Sequence, residues 1–324
     1  LVIKKESVAV CGGCGFIGSH LVQRLTRSGH DVKVICNSNH QTRSPDDAGK
    51  MTIVRINIKE DPKQLRDALR DCSTVFHLAA VNGDRIYLEN HPASCCTNMA
   101  IDNIIFENAV KAGVNHIQYC SSALAYPVSA QQLLTEDMVD FNNLQTPDQS
   151  YGFAKLMGEY SLHMFRQEFG IKGSIVRLST VYGPWQDYTY TVPALILRAI
   201  SHTDPFRIYG DGNQSRNFTY VDDVAECMIR ASRQISDCTA VNVATRESTT
   251  INELISLIFK ITNWQPKNIS YDLSKPAGNR SRLLDNLRAE KLLDFKQTQW
   301  TTIEDGMKAT VSWFQSNQEL KSSK

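Results

Sequence analysis

Apolar positions along the chain fall into two alternating rhythms. Short, nearly continuous apolar runs occupy residues 7–11 (SVAVC), 31–36 (DVKVIC), 51–56 (MTIVRI), 73–79 (STVFHLA), 116–122 (HIQYCSS) and 173–179 (GSIVRLS). Strands covered on both faces have this composition. Between the runs the apolar period lengthens to that of amphipathic helices, over about 16–28, 62–70, 92–112 and 152–169. Such alternation predicts an α/β fold, a parallel sheet with helices on both faces. Past about residue 180 the rhythm breaks. YGPWQDYTYTVP and IYGDGNQSRNFTY are rich in glycine, aromatics and turn residues, and helical patterns return at about 221–232, 251–262 and 302–315. The expected organisation is a first domain over 1–180, a smaller C-terminal α/β lobe over 181–316 that closes a cleft, and a tail over 317–324. YVDDVAECMIRA and AVNVA lie in the second region but are expected to return to the first domain.

Chemistry enters where the first strand ends. VAVCGGCGFIGSHLVQRL reads as strand, glycine turn and helix. Gly12, Gly15 and Gly18 fit one dinucleotide-binding spacing, while Gly13, Gly15 and Gly18 fit another. The physical reason is common to both: positions without side chains let backbone N–H groups approach a pyrophosphate at the positive end of a helix. A structural glycine turn is the bland alternative. The second strand runs into Cys36 and Asn37, where an acid that binds ribose hydroxyls is usual. Nothing there repels a 2′-phosphate and Arg43 is positioned to attract one, so of NAD and NADP the pattern favours NADP. A solvated loop charge explains Arg43 equally well.

The stretch YGFAK puts Tyr151 and Lys155 one helical turn apart, on one face. A neighbouring ammonium stabilises phenolate and lowers a tyrosine's pKa from its ordinary value near 10. Such a phenol can take a proton from a sugar or alcohol hydroxyl while hydride leaves the carbon for a nicotinamide. The spacing alone is common. It gains meaning from YCSSALAYP, which sets Ser121 and Ser122 at the end of the preceding strand.

Taken together, CGGCGFIGSHL, FHLAA, QYCSSALAYP, YGFAK, VYGP and YGDGNQSRNFTYVDDVA resemble the extended short-chain dehydrogenases/reductases that act on nucleotide sugars. The resemblance runs from about residue 7 to about 315. TNMAIDNII and KPAGNRSRLLD are most similar to the branch with GDP-fucose synthases and GDP-mannose 3,5-epimerases. It implies a Rossmann-type doubly wound sheet with a substrate-binding lobe, and a catalytic triad of Ser122, Tyr151 and Lys155, with Ser121 as the alternative serine. It implies cofactor contacts from Gly12, Gly15, Phe16, Ile17, Gly18, Asn37, Arg43, Asn57, Ile58, Leu78, Ala79, Ala80 and Asn98, besides Tyr151 and Lys155. Contacts to a nucleotide-diphosphate sugar are implied for Ser121, Ser122, Thr180, Val192, Ile208, Arg216 and Arg282, the two arginines holding the diphosphate. His77 reads as a core residue. The resemblance also implies a homodimer in which helices 92–112 and 151–169 pair across a two-fold axis, although packing on the sheet accounts for the same apolar faces.

Departures from the family pattern narrow the reaction. The dehydratases carry an acidic pair after the active-site hydroxyl, where this chain has Ala123 and Leu124. The uronate decarboxylases place a Glu in this neighbourhood, and it too is missing. The cysteine used by the 3,5-epimerases and fucose synthases corresponds to Leu124, and the synthases' histidine to Tyr190. The usual Asn before VYGP is Thr180. We expect 4-epimerisation by transient oxidation at C4. The alternative is an NADPH-dependent 4-keto-sugar-nucleotide reductase, and a third reading is a non-catalytic NAD(P)-binding sensor or scaffold, against which the triad argues.

Composition adds exclusions. Lys and Arg total 35 against 34 Asp and Glu, a balance that gives no electrostatic reason to expect nucleic acid or an anionic membrane as partner. No apolar run approaches the about 18 residues a transmembrane helix needs. The opening LVIKKESVAVCGG, which carries no Met, is not expected to act as a secretory signal. Nine cysteines, an odd and scattered set, read as reduced thiols of a cytoplasmic protein. Cys11 and Cys14 have CxxC spacing, but no second ligand pair accompanies them, so no metal is expected.

Overall fold

A computed structural model describes residues 6–37, 51–128, 133–274 and 281–317. In chain order these form β1 (Ser7–Cys11), α1 (Phe16–Arg27), β2 (Asp31–Cys36), β3 (Met51–Arg55), α2 (Pro62–Leu69), β4 (Thr74–His77), α3 (Arg85–Asn90), α4 (Pro92–Lys111), β5 (His116–Ser122), α5 (Gln149–Phe169), β6 (Lys172–Leu178) and β7 (Thr180–Tyr182). There follow α6 (Thr191–Ile200), β8 (Phe206–Tyr209), β9 (Ser215–Arg216), β10 (Phe218–Tyr220), α7 (Val221–Gln234), β11 (Asp237–Val243), β12 (Thr249–Thr250), α8 (Ile251–Thr262), β13 (Ile269–Asp272), β14 (Ser281–Arg282), α9 (Leu287–Leu293) and α10 (Ile303–Ser316).

Seven strands make one sheet in the order β11-β6-β5-β4-β1-β2-β3, and every pairing in it is parallel. Side-chain alternation along the strands divides the core in two. Val8 and Val10 of β1 face one side, with Val32 and Val34 of β2, under α1, α7 and α9. Ala9 and Cys11 face the other, with Ile117 and Tyr119 of β5, under α2, α4 and α5. The fold is the doubly wound α/β type, with strand order reversing at β1 and β4. A third core joins α6, α8 and α10 around Phe206, Ile208 and Phe218. This second lobe carries small sheets of its own, including the parallel pair β8–β13 and the triplet β12-β9-β14.

Two segments after residue 180 belong to the first sheet. β11 pairs with β6, and α7 packs its Val221, Val224, Ala225 and Met228 into the core shared with α1. Helices α3, α6 and α9 have no counterpart in the hydrophobic pattern. In α6, TVPALILRAI, Pro193 lies in the first turn, where no intrahelical N–H bond is lost. No helix among the described residues is long and apolar enough to cross a membrane.

Buried charge ties the sheet to α5. Arg177 on β6 grips Glu159 with Nε at 3.0 and 3.2 Å and Nη2 at 2.7 Å, and its Nη1 donates to Tyr126 Oη at 3.2 Å and Glu136 O at 3.0 Å. Tyr126 in turn donates to Asn242 of β11 at 2.6 Å. Removing one partner of such a pair strands the other charge, at a cost of about 3–5 kcal/mol. Glu159→Ala is therefore expected to lower the unfolding free energy by about that amount in a urea titration. Glu89→Ala, at the half-exposed Arg85 pair, is expected to cost under about 1 kcal/mol.

Candidate active site

The C-terminal ends of β1, β4 and β5 converge with the start of α5. Gly12 leaves β1 at φ +85°, and a Cβ there would lie 2.7 Å from Ala79 N and 2.9 Å from the Leu78 carbonyl carbon. Only glycine fits both the backbone and the contact. Gly12 N–H donates to Ile35 O at 2.8 Å and Gly12 O accepts from Gly15 N–H at 3.0 Å, so the turn is held against β2. A Cβ at Gly18 would collide with Gly12 O, and one at Gly13 would meet Val34 Cγ1 at 2.9 Å. Thus all four glycines are close-packed, and the positive φ falls on the first. Helix α1 starts at Gly15 with no side-chain cap and no acidic residue in its first turn. Its first N–H groups, at Phe16, Ile17 and Gly18, present a positive helix end next to a cradle that side chains would fill. That arrangement fits a dinucleotide pyrophosphate.

Of the other residues implied for the cofactor, Leu78, Ala79 and Ala80 are half-buried beside Gly12. Asn37 and Asn57 are exposed at the ends of β2 and β3, and Ile58 packs partly against the core beneath them. Arg43 lies outside the described residues. Asn98 is buried and its amide is spent on one backbone unit, donating to Val81 O at 2.9 Å and accepting from Val81 N–H at 2.6 Å. It shapes the segment after β4.

Cys11 and Cys14 sit on opposite faces of the sheet, and Cys14 instead shares a core with Cys36, whose thiol its neighbourhood lowers to about 7. Burial pushes Cys11 up to about 12.

Tyr151 lies in the first turn of α5, buried against Ala80, Tyr87, Leu88, Cys95 and Leu124. What brings it there is glycine at 152. A Cβ on Gly152 would collide with Leu124 O, the carbonyl that also accepts from Asp148 N–H at 3.2 Å. The turn containing Leu124 begins at Ser122, whose Oγ accepts from Leu124 N–H at 3.1 Å and so keeps its own proton to donate. Ser122 and Tyr151 thus belong to two segments in direct contact. Ser121 points the other way. It is buried and its hydroxyl donates to Glu159, so the alternative serine is committed to the buried ion pair.

Lys155 is 2 % exposed. Its Nζ stands 4.8 Å from the centroid of the Tyr119 ring and 5.9 Å from that of Tyr151. The expectation that the ammonium lowers the phenol's pKa is not what dominates here. Burial pushes the Tyr151 phenol well above its ordinary range, and the nearby Cys120, Tyr190, Asp102 and Cys95 add to the effect.

Arg216 and Arg282 face each other in register on the parallel pair β9–β14. Arg282 Nη2 donates to Asp148 Oδ2 at 2.7 Å and its Nη1 to Ala123 O at 3.1 Å, next to Ser122. Arg85 donates to the same Asp148 oxygen at 3.3 Å. Burial, then Arg282 and Arg85, lower the Arg216 guanidinium to about 10. Three guanidiniums gathered around one aspartate form a site that favours an anion. Thr180 is half-buried at the start of β7. Val192 and Ile208 differ from expectation: both side chains are buried in the core of the second lobe. Asp148, Arg85 and Tyr190 were not among the expected site residues. Asp148 had a signal, a charge three positions before Tyr151, and Tyr190 had one in standing where the synthases carry their histidine, whereas Arg85 arrives from a distant segment.

Comparisons with known proteins agree with this geometry. A putative UDP-glucose 4-epimerase of Methanocaldococcus jannaschii is 29% identical over 96% of this chain and 99% of its own length. A dTDP-4-dehydro-6-deoxy-D-allose reductase of a Streptomyces species is 28% identical, with 95% and 96% covered. The crystal structure of the UDP-glucose 4-epimerase of Thermotoga maritima with UDP-glucose superimposes with a TM-score of 0.85 at 28% identity, over 96% of this chain and 99% of that one. Residues 8–244 match the NAD dependent epimerase/dehydratase family, and with strand order, glycine cradle and the Tyr151–Lys155 helix in agreement, the chain belongs to that family.

Proposed function

We propose that this enzyme is a nucleotide-sugar 4-epimerase in which Tyr151 moves the proton and Ser122 holds the same sugar oxygen. The observation that carries this reading is the environment of Tyr151. Its phenol is set in an apolar nest beside the Ser122 turn, and the residues after Ser122 are Ala123 and Leu124, which transfer no proton. The thiols nearest it, Cys95 and Cys120, are pushed up by burial, so neither is a ready base. Removal of a proton from a sugar carbon would need such a group. A single phenol suffices to take a proton from a hydroxyl oxygen and return it. The dinucleotide, held by Gly12, Gly15, Gly18 and the first turn of α1, supplies the hydride acceptor and donor.

Arg216 and Arg282 would hold the substrate's diphosphate, and Asp148 would keep Arg282 aimed at the Ser122 turn while the site is free of substrate. A stripe of half-exposed apolar residues on α5, among them Phe153 and Met164, supports pairing of α4 and α5 between two copies in a homodimer.

A second reading is favoured by one observation. β2 ends in buried Cys36 and exposed Asn37, without a carboxylate, which suits NADP and therefore a reductase whose reductant arrives from solution. Acid denaturation of the purified protein and mass spectrometry of the released nucleotide separate the two. Stoichiometric NAD is expected for the epimerase, whereas a site that arrives empty and prefers NADPH would replace it with the reductase.

Two substitutions test the assignments. Tyr151→Phe is expected to lower kcat about 10²–10⁴-fold with cofactor affinity unchanged in a fluorescence titration. Arg216→Ala is expected to raise KM for the sugar nucleotide about 10–100-fold with kcat little changed. Equal loss in kcat would remove Arg216 from a pure binding role.

A further inference from the structure

Beneath the Tyr151–Lys155 pair lies a cluster of buried titratable groups that the proposed chemistry does not use. Asp102 on α4 is 1 % exposed. Its Oδ1 takes a hydrogen bond from His77 Nε2 at 2.8 Å, and its Oδ2 takes one from Tyr119 Oη at 2.6 Å. Burial holds the His77 imidazole below its ordinary range, so it is neutral near pH 7 and carries its proton on Nε2. Its Nδ1 is buried without a partner. Burial, Asp102 first among the neighbours, holds Tyr119 as the phenol. Neither partner of Asp102 brings a positive charge.

The complementary charge is on the far side of the same ring. Lys155 Nζ stands over the Tyr119 face at 4.8 Å, and among the described residues it has neither a hydrogen bond nor an ion pair. Glu159, the other buried carboxylate of this region, is already neutralised by Arg177. The remaining groups facing the pair are uncharged in this setting: Cys120 from β5, Cys95 from α4 and Tyr190 from the segment before α6. A buried ammonium with no anion near it sheds its proton. A phenol that donates to a carboxylate has a more electron-rich ring, which strengthens its hold on a cation over its face. Gly158 is what allows this stack, since a Cβ there would collide with both Tyr119 Oη and Asp102 Oδ2.

We propose that Asp102, acting through Tyr119, is a positioning residue that keeps Lys155 an ammonium beside Tyr151. His77 orients Asp102 and takes no part in proton transfer. The proposal rests on the reading of Tyr151 and Lys155 as the reacting pair only for its bearing on catalysis; its physical content is the charge state of Lys155.

The test follows Lys155 directly. The full chain is prepared with carbon-labelled lysine side chains, the Lys155 signal is assigned by its absence in Lys155→Arg, and its titration is followed by NMR. In Asp102→Asn the midpoint is expected to fall by about one pH unit or more. Tyr119→Phe, which keeps the ring and cuts the link to the carboxylate, is expected to move it the same way by less, and serves if Asp102→Asn does not fold. An unmoved midpoint in a folded variant would overturn the proposal, because a purely structural Asp102 changes thermal stability alone. A lowered midpoint in a protein that turns over no nucleotide sugar would leave the proposal standing and remove the functional reading; turnover with an unmoved midpoint would do the reverse.

Discussion

Helix α5 runs so close to the sheet that two of its residues can carry no side chain. At 152 the neighbour is the Leu124 carbonyl, and at 158 it is the Tyr119–Asp102 hydrogen bond. These contacts fix the height and rotation of the helix over β5, and with them the positions of Tyr151 and Lys155. A helix standing one side chain further off would leave the phenol away from the Ser122 turn and the ammonium away from the Tyr119 ring. The chemistry proposed for this enzyme is therefore a consequence of backbone approach, and glycine in a helix, ordinarily unfavourable by up to about 1 kcal/mol, is tolerated for it.

Close approach alone does not hold two layers together. Along the same helix Glu159 reaches Arg177 of β6, and through Tyr126 and Asn242 the network extends to β11 at the sheet edge. Ser121 closes the network from β5. Successive side chains of a strand point to opposite faces, so Ser121 is taken up by this ion pair while the half-buried Ser122 stays outside it. One buried salt bridge thus occupies one of two adjacent serines and leaves the other for the proposed chemistry. It also explains why YCSSALAYP by itself leaves both serines open: the partner that decides lies 38 positions away.

The parts legible in the sequence are those specified by local pattern. Parallel strands announce themselves by continuous apolar runs, the cradle by glycine spacing, and the Tyr151–Lys155 pair by helical period. What the pattern misses depends on long-range closure. The family resemblance implies substrate contacts for Val192 and Ile208, but the second lobe turns both side chains into its core. Asp102 is the sharpest case. An acid inside TNMAIDNII gives no sign that it will meet His77 and Tyr119 in the core.

Selectivity for a reaction is set here as much by what is withheld as by what is supplied. The side chains packed against Tyr151 are apolar or neutral, so in the proposed reaction a substrate's carbon-bound protons would meet no base, while its hydroxyl would meet a phenol. A phenol pushed up by burial holds its proton firmly and needs a fixed positive charge to become a base at all. Under the proposal above, Lys155 is that charge. The requirement passes inward from the sugar to Tyr151, from Tyr151 to Lys155, and from Lys155 across the Tyr119 ring to the carboxylate of Asp102. On this proposal, an apolar nest that suppresses unwanted proton transfer calls for a compensating anion buried below it, and the groups most remote from the substrate are the ones on which the reactivity of the nearest depends.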